Sequence, residues 1–503
     1  MAIRFGKGKI FGKLISLFGG EPTGEIDREL PFAVMVFTLM AASGVTLYES
    51  WKRLRHVQLL PRFQKEAEEV VRRVEVLGRD PLTVMYNRAQ KTKSKLYRDF
   101  LAGYISSVKS GGNVMDFLKS KLRSIFETQS AAATRSVERL GTLVEAYAVV
   151  LIVTLCAYIL FVVISSTSLF EVVAMGSTAA PTGPQPMVYI LVFFVTPVVS
   201  FLFLAIANNA RRSTFLSLKQ TYRKALIPSI GVAGLFVAMA FVPQFQSLVG
   251  TLGVPGLVTL GLTVVSLFPA LSYYKIAKTN FAAEEAIPSF IQDVTEARKI
   301  GLSPEKSLVH ASKRSGYGRF SKILKLVRNQ LQWGVSLKKI FENVKEKLVS
   351  WPVLVNFLVL VQTIEIGGGS PGALEILSSY SEKTKEVEAN KRAMLKPYII
   401  LAFVWSILIA LTTTIVAMPI YVLTQISIPG MGQMPLGVMQ QQIDLFSIGI
   451  IFQCWMSGFF IGKISEGNFA AGFKYSAMLV ITAYVSLVFS QNFMGGMYNI
   501  VPS

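Results

Sequence analysis

Gly368, Gly369, Ser370, Pro371 and Gly372 reproduce the G-x-S-x-G spacing of a hydrolase nucleophile elbow. In that motif the serine attacks an acyl carbon while the next backbone N–H holds the oxyanion. Here the next residue is Pro371, which has no N–H, so that half of the oxyanion hole is missing. Serine followed by proline is instead a helix start, with Ser370 as N-cap and Pro371 at the first helical position. The other reactive residue types form no constellation. Cys156 and Cys454 fall inside long apolar blocks, where they are expected to act as small buried hydrophobes, without a disulfide framework. His56 and His310 are far apart, each on a helical pattern, so no metal site is expected. Gly12 and Lys13 are followed by Leu14, and no glycine precedes Gly12 by five residues, so there is no P-loop. The expectation is a protein with no catalytic residues, no cofactor and no metal, in which any nucleotide hydrolysis belongs to another subunit.

The elements that must position these residues are set by how charge is distributed. All 51 Lys and Arg lie within residues 1–145, 211–224, 275–396 and 463–474, and the apolar blocks between contain none. A bilayer imposes this segregation, because basic segments stay on the cytoplasmic side while uncharged ones cross. The composition, 52% hydrophobic with 16% charged, excludes an ordinary soluble protein. The net charge of +21 sits where this topology places it, so no nucleic-acid partner is inferred. Seven segments are long enough to span, near 146–168, 187–208, 226–246, 254–274, 398–424, 445–462 and 475–498. Loops free of basic residues face outward, and those carrying Arg211, Arg212, Lys219, Arg223 and Lys224, or Lys463 and Lys474, face the cytosol. The N-terminus is then cytoplasmic and the C-terminus outside. The arm of residues 1–29 lacks a signal-peptide cleavage site.

Shifting the chain by 257 residues lays 30–142 over 287–399, and the matches fall at structural punctuation. Leu30 and Pro31 meet Ile287 and Pro288; Gly44 meets Gly301; Arg62 and Phe63 meet Arg319 and Phe320; Gly111 and Gly112 meet Gly368 and Gly369. The organisation expected is an arm (1–29), a helical domain (30–142), four spans (143–275), a second helical domain (276–397) and three spans (398–503). The fold class is therefore an all-α integral membrane protein with seven transmembrane helices and two homologous cytoplasmic helical bundles. An eighth span arises only if the uncharged run 31–48 crosses. Its counterpart, 288–304, contains Asp293, Glu296, Arg298 and Lys299, each costing about 3 kcal/mol near the centre of a span. That comparison favours 31–48 as an unusually apolar first helix of a cytosolic domain.

Two further patterns carry alternatives. Gly458 and Gly462 make a small-xxx-small face, for packing inside the chain or for a second protomer or substrate helix. The helix after Glu365 interleaves Glu375, Glu382, Glu386 and Glu388 with Lys383, Lys385, Lys391 and Arg392. That is either a solvated face laced with ion pairs or a docking surface.

With Leu30, Pro31 and the Ala42-Ser43-Gly44 turn in copy one, the chain resembles the F-protein family of type II secretion and type IV pilus systems. In copy two the resemblance rests on Ile287, Pro288, Ile300, Gly301, Leu302 and Ser303, and on the run from Glu365 to Leu374. The duplicated form is most similar to the membrane platform proteins of archaella and archaeal pili, and is also similar to tight-adherence C proteins. Copy one departs by placing Val108 where copy two has Glu365. The resemblance implies a non-enzymatic platform in the cell membrane that receives a hexameric secretion ATPase and moves pilin or archaellin subunits into a filament; a homodimer is compatible with it. Arg211, Arg212, Lys338, Lys339 and Glu365 are the residues expected to meet the ATPase. The rival reading is a polytopic secondary transporter with parallel repeats, which the lack of ionisable residues inside the spans disfavours.

Overall fold

The computed structural model describes residues 24–57, 59–174, 189–211, 215, 218–241, 246–425 and 436–498. The arm up to residue 23, the expected outer loop within 175–188, Arg212, residues 242–245 of the third expected span, the loop 426–435 and the C-terminal residues 499–503 lie outside them.

The first bundle comprises α1 (Gly24–Ala42), α2 (Leu47–Leu54), α3 (Pro61–Glu75), α4 (Pro81–Lys91) and α5 (Lys95–Lys109), and passes into α6 (Val114–Ala174). A π-helical segment at Leu191–Val195 precedes α7 (Thr196–Ala210), with Pro197 in its first turn. Then come α8 (Lys219–Phe241) and α9 (Gln246–Lys299), which bends at Gly253, where φ is +67°. The second bundle adds α10 (Pro304–Ala311), a 3-10 turn at Gly318–Phe320, α11 (Ser321–Gln332), α12 (Leu337–Lys347) and α13 (Trp351–Gly367), and passes into α14 (Pro371–Gln425). The chain ends with α15 (Leu436–Glu466) and α16 (Phe469–Tyr498).

Helix ends recur between the copies. Leu47–Leu54 falls on Pro304–Ala311, Pro61–Glu75 on 318–332, and Val114 on Pro371, all at the 257-residue shift. Left-handed glycines recur with them, at Gly44 (φ +78°) and Gly301 (φ +87°), and at Gly111 (φ +67°) and Gly368 (φ +59°). Between these landmarks the register slips by one residue. Gly78 pairs with Gly334, and the N-cap positions Asp80 and Ser94 pair with Ser336 and Ser350.

The uncharged run 31–48 is not one helix, because α1 stops at Ala42 and α2 begins at Leu47 after the Gly44 turn. Nor does α1 face lipid. From Leu30 to Met40 its apolar side chains are buried, and they join a single hydrophobic core that draws on both bundles. On one side Phe37 packs on Trp51 and Phe100. On the other the Phe32 ring stands edge-on to Trp351 of α13 at 4.6 Å and to Tyr380 of α14 at 5.4 Å. Trp351 Nε1 donates to the Leu59 carbonyl at 3.0 Å, and the Arg28 guanidinium lies over the same indole at 4.6 Å. A helix apolar all round must be enclosed by protein or by lipid, and here protein encloses it.

Six helical stretches among the described residues are long and apolar enough to cross a membrane: Val114–Leu160, Phe193–Ala210, Gly253–Lys299, Pro371–Thr412, Asp444–Glu466 and Phe469–Phe493. Leu260, Val264, Leu267 and Leu271 form one exposed stripe on α9 at helical spacing, as expected of a lipid-facing surface. Cys454 is buried, as its apolar context predicts; Cys156 is exposed, on a span face that bare apolar side chains also occupy.

One buried carboxylate links α1 to α3. Glu29 Oε2 accepts the backbone N–H groups of Arg62 and Phe63, each at 3.0 Å, which caps the start of α3 from another helix. Burial raises the Glu29 pKa above its ordinary value, although these two N–H groups oppose the rise. A raised folded pKa means that this stabilisation is complete below the ordinary glutamate value and is lost as pH rises through the folded one. Glu29→Gln, which keeps an acceptor without the charge, is expected to match wild type at pH 4 and to exceed its apparent Tm at pH 8. Glu29→Ala leaves two N–H groups without this acceptor and is expected to cost about 1–3 kcal/mol at either pH. Thermal unfolding of the detergent-solubilised chain measures both.

Candidate functional site

Three helices leave the bundles and continue as candidate spans without interruption. At 1.5 Å per residue, α6 with 61 residues is about 90 Å long and α14 with 55 about 80 Å. From Gly253 to Lys299, α9 contributes another 47 residues, and Pro269 and Pro288 leave its helical geometry intact.

Where α9 and α14 leave the second bundle, polar contacts join them to each other and to the start of α13. Asn280 Oδ1 on α9 accepts the N–H groups of Val349 and Ser350, both at 2.9 Å, at the start of α13. Glu284, one turn along α9, accepts from the Ser350 hydroxyl at 2.6 Å and from the Arg392 guanidinium of α14. Arg392 also lies 4.2 Å over the Phe281 ring, and an isolated antiparallel bridge joins Phe215 to Ser350. Beside this neck, α1, α6, α14 and the start of α13 line an open cleft of about 520 Å³, whose charged lining includes Arg28, Arg211, Glu388 and Lys391.

Arg211 is the first sequence-selected residue to be relocated. It is only partly exposed, and its guanidinium donates to the Ile464 carbonyl of α15. Two residues further along α15, Glu466 accepts from Tyr273 at 2.7 Å, Lys474 at 2.8 Å and Tyr475 at 2.9 Å. This cluster ties α9 to the α15–α16 hairpin. Gly458 and Gly462 belong to the same hairpin: a Cβ on Gly458 would stand 2.3 Å from the Ser476 backbone, and one on Gly462 would stand 2.3 Å from Gly472 N. Their face is occupied by α16 of the same chain.

Lys338 and Lys339 are exposed on α12, and Glu365 is exposed near the end of α13. Beside Glu365 lies a contact that no sequence pattern announced. Arg298, near the end of α9, donates to the carbonyls of Gly368 and Gly369, both at 2.9 Å, and also to the carbonyl of Leu302. One guanidinium thus joins the Gly301 turn to the glycine run, and Lys299 pairs with Glu375 alongside. Gly369 is buried with φ +63°, and an added Cβ would press on Ile364 Cγ1 at 3.2 Å. Ser370 Oγ accepts from Ala373 N at 3.4 Å, which makes it the cap of α14. At the repeat shift Arg298 corresponds to Ala41, so the first bundle cannot make this clamp. Its glycine turn closes locally, Gly112 N donating to the Ser107 carbonyl at 2.9 Å.

Two segments, residues 33–162 and 290–418, match the family described as type II secretion system (T2SS), protein F. The chain belongs to that family. The two matches begin 257 residues apart, the spacing at which the helix ends recur, and each runs from the start of a bundle into a long rod. An uncharacterized protein of Methanocaldococcus jannaschii is 21% identical over 491 residues, an alignment that covers 93% of this chain and 80% of that protein. No solved structure matches. This F-family protein is a multi-pass membrane protein of the platform type found in secretion and type IV pilus machines.

The Arg298 clamp gives a graded test. Arg298→Lys keeps the charge but cannot span three carbonyls as a planar fork does, and Gly369→Ala places a Cβ in left-handed backbone, costing about 1–2 kcal/mol. Both are expected to raise amide hydrogen exchange in residues 366–374 while leaving the equivalent turn at 109–117 unchanged.

Proposed function

We propose that this chain is the membrane platform of a type IV filament machine, an archaellum or an archaeal pilus. Both bundles face the cytosol, where a hexameric secretion ATPase engages them, and the spans pass that motion to pilin subunits at the filament base. The observation that carries this reading is that α6, α14 and the part of α9 after Gly253 leave one shared core and continue as helices long and apolar enough to cross a membrane. A displacement of the bundles then moves the spans, because no flexible linker stands between them to absorb it. The exposed Lys338, Lys339 and Glu365 suit contact with the ATPase, and Arg211 suits anchoring of the span bundle through Ile464. With its termini on opposite faces of the membrane, the chain uses an odd number of spans.

Breaking a rod tests the coupling. Asn390 is exposed on α14 between the bundle and the membrane. Asn390→Pro removes a helical hydrogen bond and disrupts the rod at a cost of about 3 kcal/mol, whereas Asn390→Ala leaves it intact. The proline variant is expected to accumulate in the membrane at normal levels yet support fewer than a tenth of wild-type filaments, counted by electron microscopy; the alanine variant is expected to be normal. Wild-type filament numbers with Asn390→Pro would exclude mechanical transmission through α14. Reversing Lys338 and Lys339 together to Glu is expected to abolish filaments without affecting membrane insertion.

A further inference from the structure

Two large apolar side chains on the bundles lie open to solvent at matching places. Trp333 is 80% exposed and Leu77 60%. Each stands immediately before a left-handed glycine, Gly334 (φ +73°) and Gly78 (φ +61°), and in each case an N-cap residue, Ser336 or Asp80, follows two positions later. The first turn joins α3 to α4 and the second joins α11 to α12, so Leu77 and Trp333 are counterparts in the two repeats. Nothing lies within 4 Å of a Cβ built on either glycine, so both turns stand in open space. Neither turn falls in a candidate span, and a lipid-facing belt does not account for their exposure.

The surroundings select the chemistry of what covers them. The α11–α12 hairpin, residues 321–347, carries seven Lys and Arg against two Glu. Around Leu77 the charges balance, Arg72, Arg73 and Arg79 standing against Glu69, Glu75 and Asp80, with Arg72 and Arg73 paired to Glu69. At Trp333, an apolar tip among cations complements an apolar pocket with an acidic rim. One or two apolar side chains set so close to charges offer little area for lipid anchoring, which scales with buried apolar surface. The duplication supplies the remaining argument: one chain that presents the same tip twice fits a partner that presents the same pocket more than once.

We infer that Leu77 and Trp333 are paired anchors for a single oligomeric protein whose identical subunits each offer an apolar pocket, with acidic residues beside it that meet the cations around Trp333. This rests on the proposed function, in which the secretion ATPase is that oligomer. Two-point attachment makes the second contact intramolecular, so the pair holds more tightly than either anchor alone, and a buried Trp is the commonest kind of interface anchor.

The test uses the full-length chain in detergent and its purified cognate ATPase. Leu77→Asp and Trp333→Asp are each expected to weaken binding about tenfold or more and the double variant about 100-fold or more. Trp333→Phe is expected to stay within threefold, and Tyr86→Asp, an exposed control away from both tips, to bind as wild type. A photocrosslinker at position 77 and another at position 333 are expected to label the same ATPase peptide. Exposure makes the aspartate variants compatible with folding, which unchanged melting temperatures verify. If the ATPase binds wild type and the double variant equally, or if both crosslinkers label only lipid in anionic phosphatidylglycerol vesicles, the paired anchors are overturned while the platform reading stands. If the ATPase does not bind wild type at all, both fall together.

Discussion

The arrangement of the molecule depends on the burial of α1. A helix whose side chains from Leu30 to Met40 are almost all apolar and almost all covered has no solvent face, so it cannot belong to the edge of a bundle. It has to be surrounded, and among the described residues the second repeat covers its far side. Phe32 against Trp351 and Tyr380 is where this requirement is met. Fully burying a Phe, Leu or Met is worth roughly 1.5–3 kcal/mol per side chain, so separating the bundles would expose several such terms at once. The two repeats are therefore one mechanical body, and a force applied to either is felt by the rods of both.

Within that body the copies agree where backbone geometry is at stake and differ where chemistry is. Helix starts, caps and left-handed glycines recur at Gly44 and Gly301, and at Gly111 and Gly368, because a helical bundle of this shape needs its turns at those places. Arg298 has no counterpart at Ala41, and Glu365 has none at Val108. The second bundle thus has a pinned, charged turn where the first has a small, locally closed one. The first repeat contributes instead the apolar α1 that fills the shared core.

Much of this is legible in the residue types and their spacing. Segregation of Lys and Arg marked the spans, and the Gly and Pro punctuation marked the turns and the repeat. The charges at Asp293 to Lys299 argued correctly that the matching apolar run was not a span. Two things were not legible. Hydropathy cannot distinguish a helix enclosed by lipid from one enclosed by another domain, so the reason for the apolar character of 31–48 emerges only with Trp351 and Tyr380 beside it. Nor does any local signal mark Arg298: its partners are backbone carbonyls about 70 residues away, and a carbonyl leaves no trace in residue type. Nor is the Arg211 contact with the Ile464 carbonyl legible, since its partner too is a backbone group.

The neck also constrains how movement can reach the membrane. Asn280, Glu284, Ser350 and Arg392 bind α9, α13 and α14 to one another at the level where the rods leave the bundle. Charge-assisted bonds that are partly withdrawn from water are stronger than their exposed equivalents, so the rods are held in fixed relation there. Sliding of α9 past α14 would break the Glu284–Arg392 bond and lift Arg392 from the Phe281 ring, whereas tilting the joined rods as a unit breaks neither.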